Sequence, residues 1–156
     1  MKRVAFAVAA AVAACSPQPA PSAPANDTSN DTSQTALQQV PLAVVSDSGT
    51  HAFTVEVART LEEQEMGLMF RKALAPDHGM IFPYNPPRPV AFWMHNTLIP
   101  LDIIYVRADG TISSINNAKP LDDKPIPSGE PIALVLEIAG GRAAELGIEA
   151  GDKVEW

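Results

Sequence analysis

Cysteine is nearly absent from this sequence of 156 residues, because Cys15 is the only one. The part of the chain that follows it therefore has no internal disulfide and no thiolate metal cage. Basic residues are also few, with 11 Lys and Arg against 18 Asp and Glu and a formal net charge of −7. Nucleic-acid binding draws its affinity from Lys and Arg that neutralise phosphates. This balance therefore argues against nucleic acid as a partner.

Long apolar runs are scarce as well. Outside residues 4–14 no run approaches the roughly 18 apolar residues that a membrane-spanning helix needs. The run at 4–14 follows the basic pair Lys2-Arg3, and a charged start before a short apolar stretch is typical of a signal peptide. The sequence therefore predicts a signal peptide over residues 1–14 and an exported protein.

The end of this segment, Val12-Ala13-Ala14-Cys15, resembles the lipobox of bacterial lipoproteins. The resemblance implies a diacylglyceryl group on the Cys15 thiol, cleavage before Cys15 and acylation of the new amino group. Several acyl chains make a lasting anchor, which would be the only membrane contact. Ser16, rather than Asp, resembles the Gram-negative signal for the outer membrane, with the domain facing the periplasm. The alternative is an ordinary secretory signal in which Cys15 is incidental.

For residues 15–39, the sequence predicts a lipidated cysteine followed by a disordered tether. The stretch is rich in Pro, Ala, Ser, Thr, Asn, Asp and Gln and contains no aromatic residue. Such a composition buries too little apolar surface to offset the entropy of ordering the chain. As a coil it would span on the order of 27 Å. Residues 40–156 remain, which is the usual size of one compact domain.

Local patterns in this domain indicate short strands and two short helices. Phe53, Val55 and Val57 alternate with polar residues, as in a half-buried strand. The sequence Thr60-Leu61-Glu62-Glu63 is a capping box that predicts a helix to about residue 69. A second short helix is predicted around residues 143–146, ended by Gly147.

Turn signals complete the predicted fold. The pair Asp109-Gly110 between two apolar runs predicts a hairpin with a type I′ turn. Four prolines in residues 83–89 predict a loop. With about seven short strands, two short helices and no alternation of strand and helix, the sequence predicts an α+β, mainly β fold. We expect a single small domain with a curled antiparallel sheet or a small barrel.

A longer set of motifs resembles the domain-of-unknown-function family 192. Residues 92–106 read Phe-Trp-Met-His-Asn-Thr-Leu-Ile-Pro-Leu-Asp-Ile-Ile-Tyr-Val, after Glu-Met-Gly-Leu-Met-Phe-Arg at 65–71 and Gly-Met-Ile-Phe at 79–82. The resemblance extends over about residues 50–156 and implies a compact β-rich fold without an established activity. His95 departs from the family pattern, which usually shows Lys there. The resemblance therefore does not imply a function that needs a fixed positive charge at position 95.

Asp102 is the unusual residue of this segment, because it stands among aliphatic residues. Burial costs a carboxylate heavily unless it is paired or hydrogen-bonded. We expect Asn96, Thr97 or Arg71 to supply the donors or the charge. Asp102 then either pins its loop or faces a ligand.

Glu137 ends the apolar run 132–136 and poses the same question. It either pairs with nearby amides or a basic side chain, or it serves a site. If Asp102 and Glu137 met in one cleft, they would form a general acid–base couple of an envelope hydrolase. This is the first alternative function.

The leading hypothesis is a binding or accessory module with a cleft at Trp93–Asp102, rather than an enzyme. Its ligand-binding residues would be Arg71, Trp93, His95, Asn96, Thr97, Asp102 and Glu137. The ligand would be a small polar molecule or an envelope protein, and no cofactor is predicted. Phe92 and Trp93 are adjacent and point to opposite faces of a strand, and a core position is favoured for Trp93.

A copper site is the second alternative. Thioether and imidazole groups suit Cu(I). The candidate ligands are Met66, Met69, Met80, Met94, His78 and His95. Met66 and Met69 lie three residues apart on the predicted helix, which is equally the spacing of core packing.

Overall fold

The computed structural model describes residues 37–156, so the predicted signal peptide, Cys15 and most of the predicted tether lie outside the described residues. The elements of this part are β1 (Gln39–Ser46), β2 (Gly49–Val57), α1 (Leu61–Met66), β3 (His78–Arg88), β4 (Ala91–Phe92), β5 (Leu101–Val106), β6 (Ile112–Ala118), β7 (Ile126–Pro127), β8 (Ile132–Ala139), α2 (Arg142–Leu146) and β9 (Lys153–Glu155). β1 includes Gln39, the last residue of the predicted tether. Within residues 37–156, no helix is long and apolar enough to cross a bilayer.

Seven strands form one curled sheet in the order β6-β5-β8-β3-β2-β1-β9, and β4 pairs with β7 in a separate ribbon. Thr111 and Lys153 form a single antiparallel bridge between the two outer ends of this sheet. The predicted mainly β domain with a curled sheet and two short helices is confirmed, as a half-barrel. The sheet is not wholly antiparallel, because β2 and β3 run parallel.

Alternation along the strands sends side chains into two apolar clusters, one on each face of the sheet. The first core contains Val55, Ile81, Ile104 and Leu136 among others, and the second core contains Met80, Phe82, Met94, Leu101, Ile103 and Tyr105 among others. All six residues of β5 are buried, because this strand lies inside the sheet with both faces covered. Each large apolar side chain buried here contributes about 1.5–3 kcal/mol.

The predicted start of α1 and end of α2 are present. Thr60 accepts the Glu63 amide, and the Glu63 side chain accepts the Thr60 amide, which is the capping box expected before α1. The helix ends at Met66, three residues earlier than predicted, before Gly67 at a φ of 48°. Gly147 ends α2 in the left-handed conformation at a φ of 66°, as glycine does without a Cβ penalty.

Two turn predictions were wrong. The loop between β5 and β6 is not type I′, because Gly110 has a positive φ and Asp109 does not. Gly110 N donates to Arg107 O at 3.0 Å, as in a type I turn followed by a left-handed glycine. The proline segment 83–89 is largely part of β3. Its pairing with β8 breaks between Pro83 and Arg88, so the prolines between them need no ladder amide.

Candidate functional site

One edge of the sheet gathers three loops. β3 and β5 begin there, and β6 and β8 end there, because Leu101 is paired with both Ala118 and Ala139 and Gly79 is paired with Ile138. Segments 93–98, before β5, and 119–123, after β6, therefore meet at this edge, and the hydrogen bond from Phe70 N to Asn96 O brings segment 66–71 to them. Leu68 and Met94 are buried in the second core. We call these segments the three-loop surface.

Backbone hydrogen bonds join the three segments. Phe70 N donates to Asn96 O at 2.9 Å, and Leu121 N donates to Thr97 O at 3.1 Å. Met94 N donates to Asp122 O at 2.9 Å. The middle segment thus connects the other two, and the surface is held as one unit.

Backbone strain is concentrated on the same surface. In the described part of the chain, the residues other than glycine with positive φ are Phe70 at 63°, Asn96 at 53° and Leu121 at 59°. Asn tolerates this conformation, whereas a bulky side chain costs about 1–2 kcal/mol. Such strain persists only where the surrounding structure imposes it, and it often accompanies function.

The surface exposes large apolar side chains. Trp93 is 51% exposed, Phe70 57%, Leu98 45% and Leu121 59%. The predicted core position of Trp93 was therefore wrong. Phe92, its neighbour on the strand, is the residue that turns inward, with its ring centroid 4.9 Å from that of Phe82.

Polar groups hold Trp93 in place. The indole stacks on the His95 ring, with centroids 4.8 Å apart and an angle of 24° between the planes. Nδ1 of His95 lies 2.8 Å from Oδ1 of Asp123. Thr97 is buried, and its hydroxyl donates to His95 O at 3.3 Å. Four predicted site residues, Trp93, His95, Asn96 and Thr97, therefore belong to the same loop, and His95 and Thr97 hold the exposed indole.

Arg71 does not pair with Asp102, contrary to expectation. Its two terminal nitrogens donate to the Glu56 carboxylate at 2.7 Å and 2.6 Å. Glu56 is paired with Met80 in register, so it faces the second core, on the side that carries the three-loop surface. The two-residue alternation of Phe53, Val55 and Val57 was the signal that placed Glu56 on this other face.

Asp102 faces the first core, since it is 2% exposed and lies between Leu101 and Ile103, which face the second. Its donors are not Asn96 and Thr97. Oδ1 accepts from Asn117 Nδ2 at 2.8 Å and from Gly141 N at 3.0 Å, and Oδ2 accepts from Ala143 N at 2.9 Å. Asp102 therefore fixes the start of α2. It also borders an open depression of about 590 Å³, although both of its oxygens already accept bonds.

The two carboxylates of the proposed hydrolase lie on opposite faces of the sheet. Glu137 is paired in register with Ile103, so these two side chains share the second-core face, while Asp102 points the other way. The acid–base couple was therefore wrong, because two groups separated by a sheet cannot act on one bond.

Glu137 is the buried acid without a partner. It is 5% exposed, and no side-chain hydrogen bond or ion pair joins it to any residue in 37–156. Burial raises the pKa of its carboxyl to about 8. Its charge also acts on two nearby hydroxyls: burial raises the pKa of Tyr84 to about 12 with a further contribution from Glu137, and both effects raise the pKa of Tyr105.

Comparison with known proteins fits these motifs. The model of the family DUF192, described as an uncharacterised ACR, matches residues 43–156. The chain belongs to the DUF192 family. The match includes the whole three-loop surface together with Glu56, Asp102 and Glu137.

Two solved structures resemble this DUF192 chain. A protein of unknown function from Novosphingobium aromaticivorans DSM 12444 is 53% identical, with a TM-score of 0.77, over 79% of this chain and 89% of that one. A protein from Sinorhizobium meliloti 1021, described as a candidate transcription regulator, is 42% identical, with a TM-score of 0.76, over 79% of this chain and 97% of that one. No match was found among curated proteins.

Four of the six possible copper ligands of this DUF192 domain pack or pair within the fold. Met80 and Met94 are fully buried in the second core. His78 and His95 each lie 2.8 Å from a carboxylate oxygen, of Asp77 and Asp123 respectively. Within residues 37–156, no group of three or more His, Cys, Asp or Glu could hold a metal ion. Met80 and Met94 are thus core residues, and His78 and His95 each pair with a carboxylate.

Sequence reasoning missed part of the DUF192 surface. Phe70, Leu98 and Leu121 carry its exposed apolar area, yet an isolated apolar residue in a loop has no period that marks it as exposed. Asp123, the partner of His95, lies 28 residues further along the chain, and only the fold brings the two together.

Proposed function

We propose that this DUF192 chain is an exported, lipid-anchored binding module that recognises a protein partner through the three-loop surface. The observation that carries the proposal is the exposure of Phe70, Trp93, Leu98 and Leu121 on three loops that are hydrogen-bonded through the middle one. Apolar side chains exposed together are typical of protein interaction sites, and Trp is enriched among residues that dominate binding energy.

Preorganisation supports the proposal. Binding costs free energy when loops must be ordered, and this cost falls when they are already fixed. Here the left-handed residues Phe70 and Leu121 are held by the hydrogen bonds that link their segments to residues 96 and 97. The small polar ligand that the sequence also allowed is the weaker candidate, because Asp102 was to bind it and its oxygens already accept three bonds.

The location of the partner follows from the proposed export. With Cys15 lipidated and the domain facing the periplasm at the outer membrane, the partner would be a protein of the cell envelope. The net charge of −7 argues against DNA, including for a role such as that given to the Sinorhizobium relative.

Site-specific photocrosslinking in cells tests this function. A photoreactive phenylalanine analogue would replace Phe70, Leu98 or Leu121 in the full chain, and Trp156, which is 53% exposed outside the surface, would serve as the control position. We expect one protein adduct of the same mass from all three surface positions, reduced when Trp93→Ala is also present. Equal adducts from position 156, or none from the surface, would contradict the proposal.

A further inference from the structure

Glu137 faces the second core, the cluster against which the three-loop surface packs, and shares a row of the sheet with Met80 and Glu56, the partner of Arg71. It stands two residues before the end of β8, at the edge where the loops gather, and its side chain faces the second core on which they pack. Its neighbours in register, Met80 and Ile103, are both 0% exposed, whereas Glu137 keeps 5% of its surface. The packing over Met80, Glu137 and Ile103 is therefore incomplete at the Glu137 side chain.

The side chains of the buried residues Thr97, Asp102 and Ser128 all have partners. Thr97 donates to a carbonyl, Asp102 accepts three bonds, and Ser128 bonds to Val90 and Glu130. Glu137 has none among residues 37–156. A carboxyl group that is 5% exposed and has no protein partner is open to a group from outside the fold.

We propose that Glu137 is the receptor for a basic side chain, a lysine ammonium, that the protein partner inserts through the three-loop surface. This inference rests on the proposed function. The narrow alkyl chain of lysine suits a site with apolar walls and a small opening. Its ammonium group supplies the positively charged partner that Glu137 lacks. The chain itself is acidic, with a net charge of −7, which favours a basic partner.

Proton balance gives the site a signature. Burial raises the pKa of Glu137 to about 8, so at pH 7 the free protein holds the acid mostly protonated. The bound ammonium favours the carboxylate, and the displaced proton passes to the buffer. Binding at pH 7 should therefore release close to one proton per site, measured by calorimetry in buffers of different ionisation enthalpy.

A random peptide library displayed on phage is the probe, selected against the purified full chain. We expect the protein to enrich peptides that carry Lys among apolar residues. Glu137→Gln should weaken the best peptide at least tenfold and abolish the proton release. The matched control Glu149→Gln, at an exposed acid, should change neither. Replacing the peptide's Lys by norleucine should weaken binding to the unchanged protein and not to the Glu137→Gln variant.

A second variant distinguishes the loss of lysine binding from misfolding of the protein. Glu137→Met, which fills the site with an apolar chain, should fold, keep apolar peptides and lose the preference for Lys. Enriched peptides that lack Lys, or that bind Glu137→Gln equally well, overturn the inference and leave the proposed function standing. If no peptide is enriched, the inference also falls, and if the crosslinked adduct is absent as well, the proposed function falls with it.

Discussion

Asp102 and Glu137 show that the partners of a buried carboxylate decide its role. Both lie on interior strands and both are buried. Asp102 meets one side-chain and two backbone donors, whereas Glu137 faces Met80 and Ile103 and meets none among the described residues. One acid is satisfied within the fold, and the other is left for an outside group.

We expect Glu137 to make stability fall as pH rises. Its pKa is raised from 4.5 to about 8, so between these values the folded state binds one proton more than the unfolded state. The free energy of unfolding should therefore decrease from pH 4.5 to about 8 by up to about 1.4 kcal/mol per pH unit from this group. Urea unfolding at pH 5, 6.5 and 8 measures it.

Glu137→Gln is the control for this prediction, because it keeps the shape and removes the titration. The difference between the two proteins should grow with pH and level off above about pH 8, where the carboxyl is ionised in both states. Nearby Tyr84 does not interfere, since its pKa is raised to about 12. Parallel stability curves would show that Glu137 titrates normally.

Asp102 should behave as a structural residue. We expect Asp102→Asn to lower the free energy of unfolding by about 1–3 kcal/mol, because the new NH₂ group cannot accept the bonds that the carboxylate accepts. Hydrogen exchange should speed up at the amides of Gly141 and Ala143, which donate to Asp102 in the unchanged protein. Asp109→Asn is the control, since its amide oxygen can still accept the Thr111 amide. Equal exchange rates in both variants would contradict this role.

At the scale of elements, local signals were predictable where neighbouring residues decide the outcome. The capping box before α1 and Gly147 after α2 needed only contacts within one helix turn. The extent of β3 through the prolines was not predictable, because it depends on where β8 stops bonding. The partners of Asp102 were missed for the same reason, since Asn117 and α2 reach it only through the sheet.

Close contact between β3 and β8 predicts a sensitive glycine. A Cβ on Gly79 would lie 2.4 Å from Glu137 O, so the two strands would have to separate. We expect Gly79→Ala to cost about 1–3 kcal/mol and to raise the unfolding rate. Gly141→Ala, at a φ of 86° with open space around it, isolates the backbone cost of about 1–2 kcal/mol. A wild-type unfolding curve for Gly79→Ala would disprove the close contact.

For the whole molecule, membrane attachment is the prediction that rests on the first residues. We expect the mature chain to begin at Cys15 and to carry the mass of its acyl groups, and Cys15→Ser to abolish both fatty-acid labelling and partition into detergent. The mass of the purified protein measures this directly. A mature chain without lipid that begins elsewhere would favour an ordinary secretory signal.

The bridge between Thr111 and Lys153 also has a consequence for how the chain folds. β9 pairs with β1 on one side and meets the β5–β6 hairpin on the other, and Val154 enters the first core. β1, the first strand of the described residues, therefore completes its pairing only with β9, the last one. Pairing between residues 43–45 and 153–155 would delay completion of the sheet until the chain has emerged as far as β9, which fits the export proposed above, since an exported chain crosses the membrane before it folds.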